Sequence, residues 1–311
     1  MLVAGATGLI GSRVALHLVE AHIPVTLLSR RSHPWEGPRP TGLRVVIGDV
    51  RDVRVLAEAT RDVAAVVYAV SGGLPGTPSS APLTEIDLAL SPLLAVLEAM
   101  RQRSSMRLFF FSSGGAVYGD PPSLPVGEDA PTAPLSPYGV LKVAAEKYIA
   151  MYGHLYGISY CILRVGNLYG AAQEVVPGHG AVATILHAAA TRSPMQIFGD
   201  GHDLRDYVFV DDVAQVLVEL VSRSNLPEVL NVGTGEGTSM HHLLATVERV
   251  TGRTVQVERL PRRRFDVESI VLDSSRLVAL MNWVPTPLEV GVARVWKRLQ
   301  ETAVAPEGHG L

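Results

Sequence analysis

Tyr138 and Lys142 stand four residues apart in the run SPYGVLKVAAEK, within a stretch from Pro137 to Tyr156 whose pattern predicts a helix. On a helix that spacing puts both side chains on one face. A free phenol ionises near pH ~10, too high for a base at neutral pH. A neighbouring ammonium stabilises the phenolate and lowers that value, so the pair can take a proton from a hydroxyl or give one to a carbonyl. The chain also opens on a segment suited to a dinucleotide. GATGLIGS places Gly5, Gly8 and Gly11, with Thr7, Leu9 and Ile10 between them, after a short apolar run and before a helical pattern. Glycines there permit a tight turn and close approach to a pyrophosphate, and a helix N-terminus supplies amide donors and a positive dipole.

These residues need a scaffold that brings them together, and the order of elements predicts one. LVAGA, PVTLLS, LRVVIGD, AAVVYAV, RLFFFSS and SYCILRV are apolar, β-rich runs. Helical patterns separate most of them, near 12–21, 53–60, 83–103 and 137–156. Continuous apolar strands alternating with helices imply a parallel sheet covered on both faces. After Arg164 the rhythm loosens into Gly- and Pro-containing loops, with helices near 181–191, 210–222 and 239–251, and PEVLNVGTG is expected to return to the main sheet.

The spacing G-x-x-G-x-x-G, followed by Tyr-x-x-x-Lys after RLFFFSS, resembles the extended branch of the short-chain dehydrogenase/reductase superfamily, whose members modify sugar nucleotides with NAD(P). The resemblance runs along nearly the whole chain. It implies an α/β fold, a Rossmann-type doubly wound parallel sheet over residues 1–165, joined again by parts of 206–235. A smaller C-terminal α+β substrate-binding lobe over 166–302 and a flexible tail over 303–311 complete it. It places Asp49 of GDVRD near the adenine, with Val50 beside it, and Ala69 of YAVSGG under the cofactor. Asn167 of RVGNLYG, Arg205 of FGDGHDLRDYVFVDDVA and Arg263 of PRRRFDV are implied contacts to a substrate diphosphate, and Asp266 to ribose hydroxyls. Arginine suits such contacts because its planar fork pairs with phosphate oxygens. The family's active-site serine or threonine usually stands three positions before the Val of VYG, which is Gly114 here; Ser113 is the first choice for that role and Ser112 the reserve. The branch's dehydratases carry an Asp-Glu pair just before VYG and its decarboxylases a Glu, where this chain has Gly115 and Ala116, so both reactions are excluded. A homodimer is the family expectation.

The end of the second strand bears on the cofactor. The branch's 4-epimerases usually have Asp there, which binds ribose hydroxyls of NAD; this chain has Ser29, followed by Arg30 and Arg31. A hydroxyl and two guanidiniums suit a 2′-phosphate, so NADP(H) is expected over NAD(H). The reaction expected from that is NADPH-dependent reduction of a keto group, at C4, of a nucleotide-diphosphate hexose, with Tyr138 as the acid. The alternative is 4-epimerisation through a transient 4-keto sugar. A cofactor sensor on the same fold lacks a Tyr–Lys pair, which argues against that third reading.

Composition narrows the field further. With 311 residues the chain can bury a large core, and a net charge of −3 gives no electrostatic case for nucleic acid or an anionic membrane. No apolar run approaches the roughly 20 residues that cross a bilayer. The single cysteine, Cys161, lies in the apolar run SYCILRV, so an internal disulfide is excluded and a reducing cytoplasm is expected. Ten histidines raise the question of a metal, yet His241 and His242 are adjacent and point apart, so no metal site is expected.

Overall fold

The computed structural model describes residues 1–31, 40–70, 81–103, 105–170 and 180–304, the side chains of 302–304 excepted. The Gly/Pro/Ser-rich stretch 71–80 and most of the expected flexible tail, 305–311, lie outside the described residues. The first half runs β1 (Leu2–Ala4), α1 (Leu9–Glu20), β2 (Val25–Ser29), β3 (Leu43–Ile47), α2 (Val53–Ala59), β4 (Ala65–Tyr68), α3 (Pro82–Arg101), β5 (Arg107–Ser113), the single turn α4 (Gly114–Val117), α5 (Pro137–Tyr156) and β6 (Ser159–Val165). The second half runs β7 (Asn167–Tyr169), α6 (Ala181–Thr191), β8 (Met195–Phe198), β9 (Leu204–Arg205), β10 (Tyr207–Phe209), α7 (Val210–Val221), β11 (Val229–Val232), β12 (Thr238–Ser239), α8 (Met240–Thr251), β13 (Val257–Leu260), α9 (Ser275–Leu280) and α10 (Leu288–Val304).

Seven strands form the central sheet in the order β11-β6-β5-β4-β1-β2-β3, every pairing parallel. Successive side chains of a strand face opposite sides, so an apolar run feeds two cores at once. Phe109, Val67 and Val3 pack with Val14 and Leu18 of α1 and Val213 and Leu217 of α7. Their neighbours Phe110, Val66 and Leu2 pack on the other face with Leu93 and Leu97 of α3 and Ile149 of α5. Cys161 is fully buried in the first of these cores. PEVLNVGTG returns to the sheet as expected, with Leu230 opposite Leu163.

The second half adds short strand pairs, β10 on β7, β12 on β9 and β13 on β8, around a third core that includes Tyr169, Ile197, Leu243 and Trp296. Asp206 joins this part to the sheet edge: its buried carboxylate accepts from the amides of Thr234, Gly235 and Leu272 and from the Thr234 hydroxyl. α9 and α10 lie beyond Thr251, where the sequence reading ends its list of helices. For α10 a signal exists, because Leu288, Val292, Val295, Trp296 and Leu299 recur at helical spacing and all face the third core.

The opening glycines serve different purposes. Gly5 has φ +84°, and a β-carbon there would sit 2.6 Å from the Ala69 carbonyl oxygen. One on Gly11 would lie 2.2 Å from the Gly5 carbonyl oxygen, which explains how α1 can start hard against β1. Gly8 differs: its backbone is extended, at φ −77°, and the nearest atom to an added β-carbon is 3.4 Å away. Packing therefore demands glycine at 5 and 11 but not at 8. Gly11→Ala is expected to cost at least about 2 kcal/mol, while Gly8→Ala stays within about 0.5 kcal/mol of the parent. Urea unfolding of the two variants measures the difference, and equal losses would contradict this account.

Candidate functional site

The carboxyl ends of β1, β4, β5 and β6 open into one cavity of about 540 Å³. In open α/β sheets that edge is where ligands bind. One end of the cavity is lined by Gly8, Leu9, Ile10, Ala69 and Val70, the middle by Ser113, Tyr138 and Lys142, and the other end by Asn167, Arg205, Arg263 and Asp266. Residues spread over more than 250 positions of chain thus share a single space.

The glycine-turn end has the shape a dinucleotide needs. No side chain caps α1, a twelve-residue helix, so its first amides face the cavity with their partial positive charge. Gly8 leaves open the space a side chain would fill beside the start of α1. Thr7 and Gly8 are exposed at the turn, and Val50 is buried behind it. Asp49 is held well away from neutral: Arg51 donates to it from backbone and guanidinium, which brings its carboxyl down to about 2. Ser29 is buried at the end of β2, where its hydroxyl donates to the Arg31 carbonyl at 2.5 Å. Arg30 and Arg31 are exposed. These residues are present as the sequence reading expects, but the serine is committed to its own turn and both arginines stand in solvent.

α5 delivers the central pair. Ser136 caps it, accepting from the Gly139 amide, Pro137 fills its first turn, and Gly157 ends it at φ 69°. The Lys142 ammonium donates to the Phe111 carbonyl at 2.9 Å and lies 5.7 Å from the centre of the Tyr138 ring. Its effect on the phenol is not the one that spacing alone suggests. Burial pushes Tyr138 up to about 12, opposed by a hydrogen bond with Ser113, and pushes Lys142 down to about 8, opposed by the charge of Glu146. Burial thus opposes the acidic phenol that the spacing predicts.

The two serines separate. Ser113 lines the cavity within hydrogen-bond reach of Tyr138. Ser112 is buried, and its hydroxyl donates to Glu146 Oε1 at 2.5 Å. A β-carbon at Gly114, where the family pattern has its hydroxyl residue, would lie 2.6 Å from Leu272 Cδ1. Gly115 leaves room for the Asn167 amide oxygen, 2.7 Å from where a β-carbon would be.

At the far end, Arg205 is held by three carbonyls, those of Leu204, Val267 and Glu268. Arg263 makes a two-pronged bond to Asp266, at 2.9 and 2.8 Å, and its guanidinium stacks between Phe198 and Phe265. Sequence reasoning missed the two phenylalanines and Gln196 of β8, which line this end. Gln196 and Phe198 lie in MQIF, which carries no motif and is placed here only by its pairing with β13, whereas Phe265 stands two residues after Arg263 in PRRRFDV. No group of three or more His, Cys, Asp or Glu among the described residues has the arrangement of a metal site. No helix among them is long and apolar enough to cross a membrane.

Residues 1–233 match the model of the NAD dependent epimerase/dehydratase family. A UDP-glucose 4-epimerase of Azospirillum brasilense is 32% identical over 330 residues, covering 99% of this chain and 94% of that protein. Among solved structures, UDP-glucose 4-epimerase of Thermus thermophilus in complex with NAD is 30% identical with a TM-score of 0.88, over 96% of this chain and 98% of its own. The UDP-glucose 4-epimerase of Thermotoga maritima with UDP-glucose is 28% identical with a TM-score of 0.89, over 97% and 99%. These findings overturn the expectation of NADP(H): the family is described by NAD, and NAD is the dinucleotide in the Thermus complex. The physical reason lies at the end of β2, where the Ser29 hydroxyl is spent on the Arg31 carbonyl and the guanidiniums are solvated rather than gathered for a phosphate. The chain is an enzyme of the extended short-chain dehydrogenase/reductase superfamily and belongs to the NAD-dependent epimerase/dehydratase family.

Proposed function

We propose that the protein is an NAD-dependent 4-epimerase of a UDP-hexose. The observation that carries this is the continuity of one cavity from the glycine turn, past Tyr138 and Lys142, to the arginine-bearing lobe. The curated relative and the two structural neighbours named above are 4-epimerases, which favours this reading over the ketoreductase. NAD fits as well: an epimerase restores its cofactor in every turnover and draws on no reductant pool.

When bound, NAD supplies the hydride acceptor and donor and, in its oxidised form, a positive ring that favours the phenolate. With NAD held at the glycine turn to accept the C4 hydride, Tyr138 Oη would take the proton of the sugar's 4-hydroxyl. The same oxygen would give that proton back to the 4-keto oxygen, so the product is an isomer of the substrate and no atom is gained or lost. Lys142 holds the positive charge behind the tyrosine, and Ser113 hydrogen-bonds the reacting oxygen. Arg205, Arg263 and Asn167 grip the diphosphate and Asp266 the ribose, exchanging internal contacts for ligand ones. With the diphosphate held, the keto sugar can turn in the cavity and present its other face. Gly115 and Ala116 offer no second acid or base, so the keto sugar is not diverted into loss of water or carbon dioxide.

The purified protein should interconvert a UDP-hexose and its C4 epimer with no added cofactor, and denaturation should release NAD. Net reduction of a keto sugar at the expense of NADPH, with no epimerisation, would reverse the conclusion. Tyr138→Phe should lower turnover by a factor of at least about 10³ while the nucleotide sugar still binds. Calorimetric titration beside the turnover assay tests this, and near-normal turnover would remove Tyr138 from the mechanism.

Lys142 links function to stability. Its folded-state value of about 8 lies below the ordinary 10.5, so at pH 7 the fold carries a charge it disfavours. Lys142→Met should therefore abolish turnover yet raise stability at pH 7 by about 2 kcal/mol. Between about pH 8 and 10.5 the folded lysine is neutral while the unfolded one still binds its proton, so the wild type gains stability and the difference closes. Denaturant melts across that range check the sign, and a difference that does not change with pH would contradict it.

A further inference from the structure

Glu146 continues the face of α5 that carries Tyr138 and Lys142, one turn past the lysine. Its side chain is only 6% exposed and is wedged against two strands of the sheet. Oε1 accepts from the Ser112 hydroxyl on β5 at 2.5 Å, and Oε2 from Arg164 Nη2 on β6 at 2.7 Å. Ser112 and Arg164 are register partners, so one carboxylate spans the pair from above. Arg164 then donates to the Tyr118 hydroxyl at 3.0 Å and the Glu128 carbonyl at 3.1 Å, and Tyr118 donates to Asn231 on β11. Apolar side chains of similar volume could join these elements at least as stably, so stability alone does not account for a buried ion pair.

We propose that Glu146 is a positioning residue. Ionised and paired with Arg164, it keeps Lys142 in the ammonium form at the Phe111 carbonyl, and it directs Ser113 rather than Ser112 toward Tyr138.

Two features support this. Both serines border the cavity, but neighbouring strand residues face opposite sides, so the Ser112 hydroxyl is spent on Glu146 and Ser113 is left to meet Tyr138. The second is the set of charges around Lys142. α5 contributes Tyr138 and Glu146, and β6 contributes Arg164 behind Glu146. β5 offers the Phe111 carbonyl and two serines, and α4 has no ionisable residue. On α3, which packs against α5, Asp87 pairs with Arg51 and Glu98 with Arg101 and Tyr152, while Glu85 is half-buried in the helix's first turn. Among the described residues, Glu146 is thus the one anion set against the burial that drives Lys142 toward neutrality. Removing it alone would leave Lys142 facing an unpaired guanidinium; removing both members of the pair would leave it facing no charge.

The catalytic consequence rests on the proposed epimerase, but the test does not. The chain has three lysines, Lys142, Lys147 and Lys297, the last two exposed. Competitive acetylation with acetic anhydride across neutral to alkaline pH, read by peptide mass, gives the ionisation midpoint of Lys142 against two internal references. In Glu146→Gln that midpoint should fall by about one pH unit, a tenfold change. In Glu146→Gln/Arg164→Met it should return close to the wild-type value, although the packing around Ser112 has changed in both. A midpoint lowered in both variants or in neither overturns the proposal. Should Glu146→Gln not fold, Arg164→Met alone carries the test: the released carboxylate should raise the midpoint, and no rise overturns it. Absence of epimerisation by the wild type would retire the proposed function and leave this result standing.

Discussion

The active edge of this protein depends on drawing two ionisable side chains of α5 part of the way out of water. Tyr138 and Lys142 lie against the end of β5, where burial drives the phenol up to about 12 and the ammonium down to about 8. Burial thus opposes the charged form of each group, and each becomes sensitive to any charge that enters the cavity. In bulk water the same charges would be screened to a small fraction of their effect. Desolvation thus makes the site responsive to charged ligands.

That constraint organises what surrounds it. The sheet brings the glycine turn, the serines of β5 and the loop after β6 to one edge because all seven strands run parallel. The lobe then closes the far side with groups already satisfied internally: Arg205 on carbonyls, Arg263 on Asp266 between two aromatic rings. Held in this way, the two arginines are fixed in position at the cavity wall and have little rotamer freedom left to lose. Behind the pair, a polar chain from Ser112 through Glu146, Arg164 and Tyr118 to Asn231 fixes α5 against the sheet.

Much of this was legible in one dimension. The apolar runs LVAGA and RLFFFSS became β1 and β5, and the helix expected at 137–156 is α5 with those same ends. Local signals suffice for such elements, because capping, periodicity and β-branched composition act over a few residues. The strands β8 and β13 were not legible, since each gains its pairing only across some sixty positions of chain. The Ser29–Arg30–Arg31 run misled for a related reason. Its composition suits a phosphate, but where a hydroxyl points is decided by the turn that follows, and here it points to the Arg31 carbonyl.

The amino-acid sequence by itself determined the family of fold and the cast of the site: three glycines, Tyr138 four residues before Lys142, and arginines at 205 and 263. It could do so because those are matters of residue type and short spacing. Only the tertiary structure decided which serine meets Tyr138, which way the phenol's acidity moves, and that Glu146 stands behind Lys142 as its counter-charge. Burial and the direction of a hydrogen bond belong to packing in three dimensions, and no spacing along the chain encodes them.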